Sequence, residues 1–235
     1  MKKNLSTLFL LLCILLLPIL SMSQKFGLKA GYNFSSLGYD GLGKDIYSNT
    51  SDIRTSTTFG GYINCKLIPL VSFQIECNYE PKGIKYGTPP LPYINASFDG
   101  IYNEHFDYLC IPLLLRINLI AFQIEAGPYF GFLLKAEETK KGFQKTPGAQ
   151  GEWIEEHFDE VYDLKSNTKE TDMGLTAGMG VSYSIGPMQI LGGARYNYGF
   201  TNILKEPILN DKEEVWIDKK NNRNFNLYIG LGLAL

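Results

Sequence analysis

The residues of this chain that could do chemistry are six charged side chains placed where apolar and polar residues alternate. Alternate residues of a strand point to opposite faces, so the polar members of each stretch should share one face and line an interior. Carboxylates and cations gathered there could form an acid–base site or a structural network of ion pairs. We favour the network, because a buried charge needs a partner. Its predicted members are Lys29, Lys66, Glu76, Arg116, Glu125 and Arg195.

Register at a tight turn predicts one ion pair of this network. If two neighbouring strands meet at Ile120-Ala121, counting back from the turn puts Arg116 directly opposite Glu125. Both side chains then point inward, so we predict that they are in contact. A one-residue bulge at Pro112 or Pro128 is the way in which this register would fail, because proline cannot donate a ladder hydrogen bond.

The same count applies to a second turn, at Gly186-Pro187. It puts Gly178 opposite Arg195, and the missing side chain of the glycine leaves room for the arginine to cross the interior. We predict that Arg195 lies in or near the same network and points towards Glu76 or Glu125.

The chain has two histidines that could serve in catalysis, His105 and His157, and both fall in or beside predicted long loops. An esterase acting on outer-leaflet lipid needs a Ser–His–acid arrangement at the membrane rim, and His105 is at that height. No local motif supports it. Phosphate-binding loops, zinc-ligand spacings and basic nucleic-acid patches are also missing from the sequence, so we predict no enzymatic activity, no cofactor, no metal and no nucleic-acid partner.

An acidic segment, residues 152–163, leaves three readings open. It could form a short amphipathic helix, or bind a divalent cation through Glu155, Glu156 and Asp159. We favour the third reading, a solvated acidic loop.

The elements that must position the charged residues are eight alternating segments of about ten residues, long enough to cross a bilayer when tilted. They cover residues 25–34, 57–67, 71–80, 107–119, 122–134, 173–185, 188–201 and 225–235. Short connections (68–70, 120–121 and 186–187) alternate with long ones (35–56, 81–106, 135–172 and 202–223). This pattern predicts an all-β fold, an eight-stranded antiparallel up-and-down transmembrane β-barrel whose first strand pairs with its last. Short turns and both termini should be periplasmic, and long loops extracellular.

The opposite face of these segments is apolar and should contact lipid. Its predicted outward residues include Leu28, Ile63, Ile75, Leu113, Ile124, Val181, Ile190 and Ile229. Three cysteines follow the N-terminal apolar run, Cys65 and Cys77 outward and Cys110 inward, and we expect all three to be free thiols.

The N-terminus predicts a cleaved export signal. Lys2 and Lys3 precede an apolar run over residues 8–20, and Ser21 and Ser23 offer small residues for cleavage before Gln24. We therefore assign residues 1–23 to a signal peptide and residues 24–235 to one outer-membrane β-barrel domain.

Several segments resemble the PorT-like outer-membrane β-barrel proteins of Bacteroidota. Residues 25–35 (KFGLKAGYNFS) are similar to the first strand of that family, and residues 108–115 (YLCIPLLL) to a later one, with Cys110 where an acidic residue is common. The motif at residues 178–181 and the glycine-rich final strand also match. The resemblance implies no catalytic residues. It implies a role linked to type IX secretion only through the founding member.

The final strand also resembles the signal read by the barrel-assembly machinery, with Gly230, Leu233 and Leu235 at matching positions. Leu235 stands where an aromatic residue is usual. Expected partners are therefore outer-membrane lipid and lipopolysaccharide, the barrel-assembly machinery and type IX secretion components. We predict a non-enzymatic outer-membrane barrel that serves surface contacts or secretion, with a small lipid-modifying enzyme on the same fold as the alternative.

Overall fold

The computed structural model describes residues 24–45, 51–86, 97–147, 153–210 and 212–234. The predicted signal peptide and Leu235 lie outside the described residues. Within them, the chain forms β1 (Gln24–Asp40), β2 (Ser51–Asp52), β3 (Arg54–Ile68), β4 (Val71–Tyr86), β5 (Ser97–Leu119), β6 (Phe122–Pro147), β7 (Trp153–Asp163), β8 (Thr171–Ile185), β9 (Met188–Gly199), β10 (Ile208–Leu209), β11 (Val215–Ile217) and β12 (Lys219–Ala234). No helix in these ranges is long and apolar enough to cross a membrane.

Eight of the described strands close into a ring. Their order is β4-β3-β1-β12-β9-β8-β6-β5, and β5 pairs back with β4. Neighbours are antiparallel throughout, and β1 pairs with β12 from Lys25 opposite Ala234 to Asp40 opposite Lys219. The predicted eight-stranded barrel, closed by its first and last strands, is confirmed.

The two ends of the barrel differ. Short connections at residues 69–70, 120–121 and 186–187 lie at the end that also holds Gln24 and Ala234, which we call the turn end. The opposite end carries the long connections and is called the loop end. The turn end is therefore short and simple, and most of the chain outside the membrane-crossing part of the strands lies at the loop end.

Outward side chains form an apolar surface around the ring, which we call the belt. Among the predicted outward residues, Leu28, Ile63, Ile75, Ile124, Val181, Ile190 and Ile229 are exposed, and Leu113 is half-buried. Cys65, Cys77 and Cys110 are free, as predicted. Cys65 is buried, although its predicted outward position implied exposure, and it lies opposite the larger Phe73 in the ladder.

The loop end is built from much longer strands than the sequence predicted. β5 has 23 residues and β6 has 26, so large parts of the predicted loops 81–106 and 135–172 are strand. Crossing a bilayer needs only about 9–11 residues of strand. Beyond the belt both faces of these strands carry polar residues, and the period-two apolar signal on which the prediction depended is lost.

From Trp153 to Asp163 the acidic segment is a β-strand, neither a helix nor a loop. β7 (Trp153–Asp163) pairs with the outer half of β6, and its Asp159 lies 2.9 Å from Lys141. Lys140 lies opposite Glu160 in the same ladder. Cross-strand pairing of opposite charges explains how an acidic sequence is held as a strand. We call the projecting part of β6 together with β7 the β6–β7 hairpin.

Register between β5 and β6 holds past both prolines. Pro112 lies opposite Tyr129, and Pro128 lies opposite Leu175 on β8, without a shift. The bulge occurs further on, between Asp107 and Tyr108, close to where the strands leave the belt. Pairing with β6 is interrupted at Leu113 and Leu114, because proline cannot donate a ladder hydrogen bond, and it resumes in the same register at Leu115 opposite Ala126.

An apolar core fills the loop end. Its buried residues are Leu37, Tyr39, Ile84, Tyr86, Phe106, Tyr108, Cys110, Leu133, Ala136, Ile203 and Ile217. Ile203 and Ile217 come from the connection between β9 and β12, so this connection packs over the loop end of the barrel.

Candidate functional site

The charged interior has a central group of side chains, which we call the mid-barrel cluster. Its members are Lys29, Glu76, Arg116, Glu125, Arg195 and Tyr228. Arg195 lies between the two glutamates. Its Nη1 and Nη2 atoms donate to the Glu76 carboxylate at 2.6 and 2.7 Å, and its Nε donates to Glu125. A bidentate contact of this kind is among the strongest charge-assisted hydrogen bonds.

The other cations complete the pairing. Arg116 donates from Nε to Glu125 at 2.6 Å, and Lys29 forms an ion pair with Glu76. Among the described residues, three cations therefore surround two carboxylates whose side chains are fully buried.

Tyr228 packs against the centre of this cluster. The guanidinium carbon of Arg195 lies 4.5 Å from the centroid of the Tyr228 ring, and the tyrosine hydroxyl donates to Glu125 at 3.0 Å. Gly178 lies opposite Arg195, and a Cβ there would be 2.7 Å from the Cγ of Arg195. Glycine at this position therefore leaves the space that the arginine occupies.

Arg116 lies opposite Glu125 and contacts it, as the register predicts. Arg195 lies opposite Gly178 and contacts both Glu76 and Glu125, which were its two predicted alternatives. Lys66 is an exception, because it is exposed near the turn-end terminus of β3 and takes no part in the ion pairs of the described cluster. At the end of the barrel, water solvates its ammonium group and no partner is needed.

A second buried group, which the sequence analysis missed, lies nearer the loop end. Lys82 forms an ion pair with Asp172 at 3.0 Å, and both side chains are fully buried. Tyr129 and Asn222 donate to the same carboxylate at 3.1 and 2.9 Å. The Lys82 ammonium lies 4.4 and 5.0 Å from the ring centroids of Tyr129 and Tyr108. We call this the upper cluster.

The upper cluster was missed for a definite reason. Lys82 and Asp172 both fall in segments predicted as loops, and 90 residues separate them. Charged residues in a predicted loop are normally solvated, so no local signal marks them as partners.

Together the clusters block the lumen. An eight-stranded barrel is only wide enough inside for side chains to fill it. Beside Lys29, Glu80 and Arg195 the remaining void is about 10 Å³, roughly the space of one water molecule. Carboxylates held this tightly by cations have no free space beside them for a substrate, so the geometry fits a structural plug.

A larger cavity opens above the upper cluster, at the loop end. Its volume is about 420 Å³, and Glu104, Glu138, Lys220, Tyr86 and Phe106 are part of its lining. Lys220 donates to both oxygens of Glu104 at 2.8 and 2.7 Å. Burial, and then the nearby Glu104 and Glu138 carboxylates, raise the pKa of Tyr86 above its usual value, so its hydroxyl stays protonated and donates to Glu138 at 2.8 Å.

The two histidines lie outside this cavity. Nε2 of His105 is 2.6 Å from a carboxylate oxygen of Asp107, and no serine appears among the described hydrogen-bond partners of this histidine. His157 is exposed on β7, 3.1 Å from Glu155. The described contacts therefore give His105 an acid but no nucleophile.

Metal binding by the acidic segment was the other chemical hypothesis. Within the part of the chain that the structure describes, no group of three or more His, Cys, Asp or Glu side chains is placed to hold a metal ion. Extended strand geometry points Glu155 and Glu156 to opposite faces, which separates the proposed ligands.

A closed antiparallel ring of eight strands, apolar outside and charged inside, is the architecture of small outer-membrane β-barrels. The sequence profile of the family described as "Outer membrane protein beta-barrel domain" matches residues 22–205. The match covers more than half of the chain, and the protein belongs to this family of the outer membrane. No curated protein matches the chain.

Solved structures of similar shape include three small barrels. Ail, the attachment invasion locus protein of Yersinia pestis, is 12% identical with a TM-score of 0.38, over 91% of this chain and 100% of that chain. Neisserial surface protein A (NspA) is 15% identical with a TM-score of 0.35, over 88% and 96%. CarO2 of Acinetobacter baumannii is 11% identical with a TM-score of 0.40, over 89% and 98%.

Proposed function

We propose that this protein is a non-enzymatic, pore-free barrel of the outer membrane that presents its loop end to the outside of the cell for contacts with other molecules. One observation carries the proposal. The barrel is plugged by buried ion pairs, while β5 and β6 extend far beyond the membrane-crossing length and β7 pairs with the projecting part of β6. Because the lumen is filled, other molecules can reach this protein outside the membrane mainly at its extended loop end.

The finer role that we propose is that of an accessory to an envelope assembly, such as protein secretion. Support comes from the PorT-like motifs at residues 25–35 and 108–115, which run along β1 and β5. Insertion would use the barrel-assembly machinery, which reads the last strand through Gly230, Leu233 and Leu235. Lipopolysaccharide would surround the barrel at the loop end.

Orientation can be tested by labelling single cysteines in intact cells. In a background without the three native cysteines, Ile101→Cys lies at the loop end and Ile120→Cys at a short turn. A membrane-impermeant maleimide should label the first in intact cells and the second only after the outer membrane is permeabilised. The reverse pattern would contradict an extracellular loop end.

The role of the loop end can be tested by shortening the β6–β7 hairpin. Lys141 and Asp159 are cross-strand partners, so residues 142–158 can be replaced by Asn-Gly, a two-residue hairpin turn. Comparing secreted and surface proteomes of cells with the native, shortened and deleted genes measures the effect. We expect the shortened protein to insert normally and to reproduce the deletion phenotype. Full function of the shortened protein would exclude the hairpin as the contact surface.

The absence of enzymatic activity is tested separately. Purified protein incubated with lipopolysaccharide or phospholipid should give no acyl transfer or hydrolysis. Turnover that is abolished by His105→Ala would instead support the lipid-modifying alternative.

A further inference from the structure

A groove on the outer wall of the barrel lies where the belt meets the loop end. Its volume is about 490 Å³, within the usual range of small-molecule sites. The lining residues that matter here are Phe34, Tyr196, Arg223, Phe225 and Leu227. This groove is outside the lumen and separate from the clusters described above.

Polarity changes in one direction along this groove. On β12, Arg223, Phe225 and Leu227 all point outward and follow one another towards the turn end. Phe225 lies opposite Phe34 on β1 and Tyr196 on β9, so aromatic rings stand on both sides of it. Successive outward residues on this strand are about 7 Å apart. The groove therefore presents first the cation of Arg223, then the aromatic rings around Phe225, and then the aliphatic Leu227. A membrane lipid with a phosphate group is matched to this order, because its charged end is followed by apolar acyl chains.

Arg223 is exposed and lies beside Tyr198 and Gly38 on the outer wall. Its guanidinium carbon is 5.4 Å from the ring centroid of Tyr198, and its Nε lies 2.8 Å from where a Cβ on Gly38 would be. Without a side chain at Gly38, the guanidinium can lie beside β1. No ion pair of the described residues includes Arg223, so its charge is available to a ligand.

We propose that this groove binds one membrane lipid that carries a phosphate group, with the phosphate on Arg223 and an acyl chain along Phe225 and Leu227. Arginine binds phosphate through paired hydrogen bonds, and an aromatic girdle lies at this depth in outer-membrane barrels. Lipid tails are as apolar as the groove, so the apolar walls orient the chain and the guanidinium provides the preference. The proposal depends on the outer-membrane location and not on the role proposed for the loops.

The test is native mass spectrometry of the full protein released from a neutral detergent, which counts the lipid molecules retained. The probes are dioleoyl phosphatidic acid, dioleoylglycerol with the same chains but no phosphate, and inorganic phosphate. We expect one phosphatidic acid per barrel, no comparable retention of dioleoylglycerol, and no displacement of the lipid by millimolar phosphate. Equal retention of both lipids, or displacement by phosphate alone, would overturn the proposal.

Variants locate the site. Arg223→Gln should weaken phosphatidic acid binding roughly tenfold, the effect of losing one hydrogen-bonded charge. Ser36→Trp, which fills the groove and keeps the guanidinium, should also weaken it. Lys219→Gln removes an exposed cation that points outward from the same strand and should leave binding unchanged. Heat-modified gel mobility checks that each variant is folded. Equal losses for Arg223→Gln and Lys219→Gln would show a general charge effect and refute the site.

Discussion

At the scale of single residues, Arg195 holds the interior together. It contacts both Glu76 and Glu125, whereas Arg116 contacts Glu125 and Lys29 contacts Glu76. Loss of Arg116 leaves its carboxylate with a remaining cation, and loss of Arg195 weakens both glutamates at once. Uncompensated buried charge is much more costly than the loss of a neutral contact.

We therefore expect Arg195→Met to lower the free energy of unfolding by about 3–5 kcal/mol, and Arg116→Met to lower it by less. Lys66→Met is the matched control, because this lysine is exposed and should change stability by no more than about 0.5 kcal/mol. Urea unfolding in lipid vesicles, followed by heat-modified gel mobility, gives the values. Similarly small losses of stability for all three variants would contradict the central position of Arg195 between the two glutamates.

Coupling between Arg116 and Glu125 can be measured directly. The single change Arg116→Ala leaves a buried carboxylate with fewer partners, and adding Glu125→Ala removes that carboxylate. The double variant should therefore lose less stability than the sum of the two single losses, by about 0.5–3 kcal/mol. Strictly additive losses in a double-mutant cycle would argue against the pairing.

A short turn contains a strained residue. Ile120 has a φ of 57°, a left-handed conformation that a bulky residue rarely adopts, while Gly186 has a φ of 58° in the equivalent turn between β8 and β9. We expect Ile120→Gly to stabilise the barrel by about 1 kcal/mol, and Gly186→Ala to destabilise it by a similar amount. Urea unfolding checks both, and effects of the same sign would show that backbone strain does not decide these turns.

At the scale of elements, the belt divides each strand into two environments. Residues within the belt face lipid, and residues further along the same strand face water or neighbouring loops. The same substitution should therefore have different consequences at two exposed isoleucines.

Ile75→Arg, within the belt, should cost about 2–4 kcal/mol because a charge then faces the middle of the bilayer. Ile101→Arg, on the part of β5 beyond the belt, also starts from an exposed isoleucine and should cost no more than about 0.5 kcal/mol. Folding titrations into lipid vesicles compare the two. Equal losses of stability for the two variants would show that Ile75 and Ile101 do not lie in different environments, and would contradict the assigned extent of the belt.

At the scale of the whole molecule, the mid-barrel cluster and the upper cluster fill the same lumen. The clusters lie inside the barrel, so removal of the outer hairpin does not unblock it. We expect no stable ion conductance in planar bilayers, either for the native protein or for the variant in which Asn-Gly replaces residues 142–158. A defined channel in both would show that the interior side chains move aside, and a channel in the shortened variant alone would assign the block to the hairpin.

The sequence by itself determined the strands, their faces and the local register. Period-two alternation marks a strand with one apolar face, and a tight turn sets which residues meet across it. The position of Arg116 opposite Glu125 follows from these local rules alone, and so does Gly178 opposite Arg195. Where alternation of apolar residues ends, beyond the belt, the sequence no longer distinguished strand from loop, and β7 was missed.

Only the tertiary structure decided which distant charges meet, because the sequence left Glu76 and Glu125 as alternatives for Arg195 and indicated no partner for Lys82. Glu76 and Arg195 are 119 residues apart, and Lys82 and Asp172 are 90 apart. Their contacts cross the lumen, and residues at the same height inside a barrel are determined by strand tilt and stagger around the whole ring. Alternation alone placed Lys66 inside as well, but its height at the turn end puts it in water. Height along the barrel axis is a property of the closed sheet, which is why no segment of the sequence could predict it.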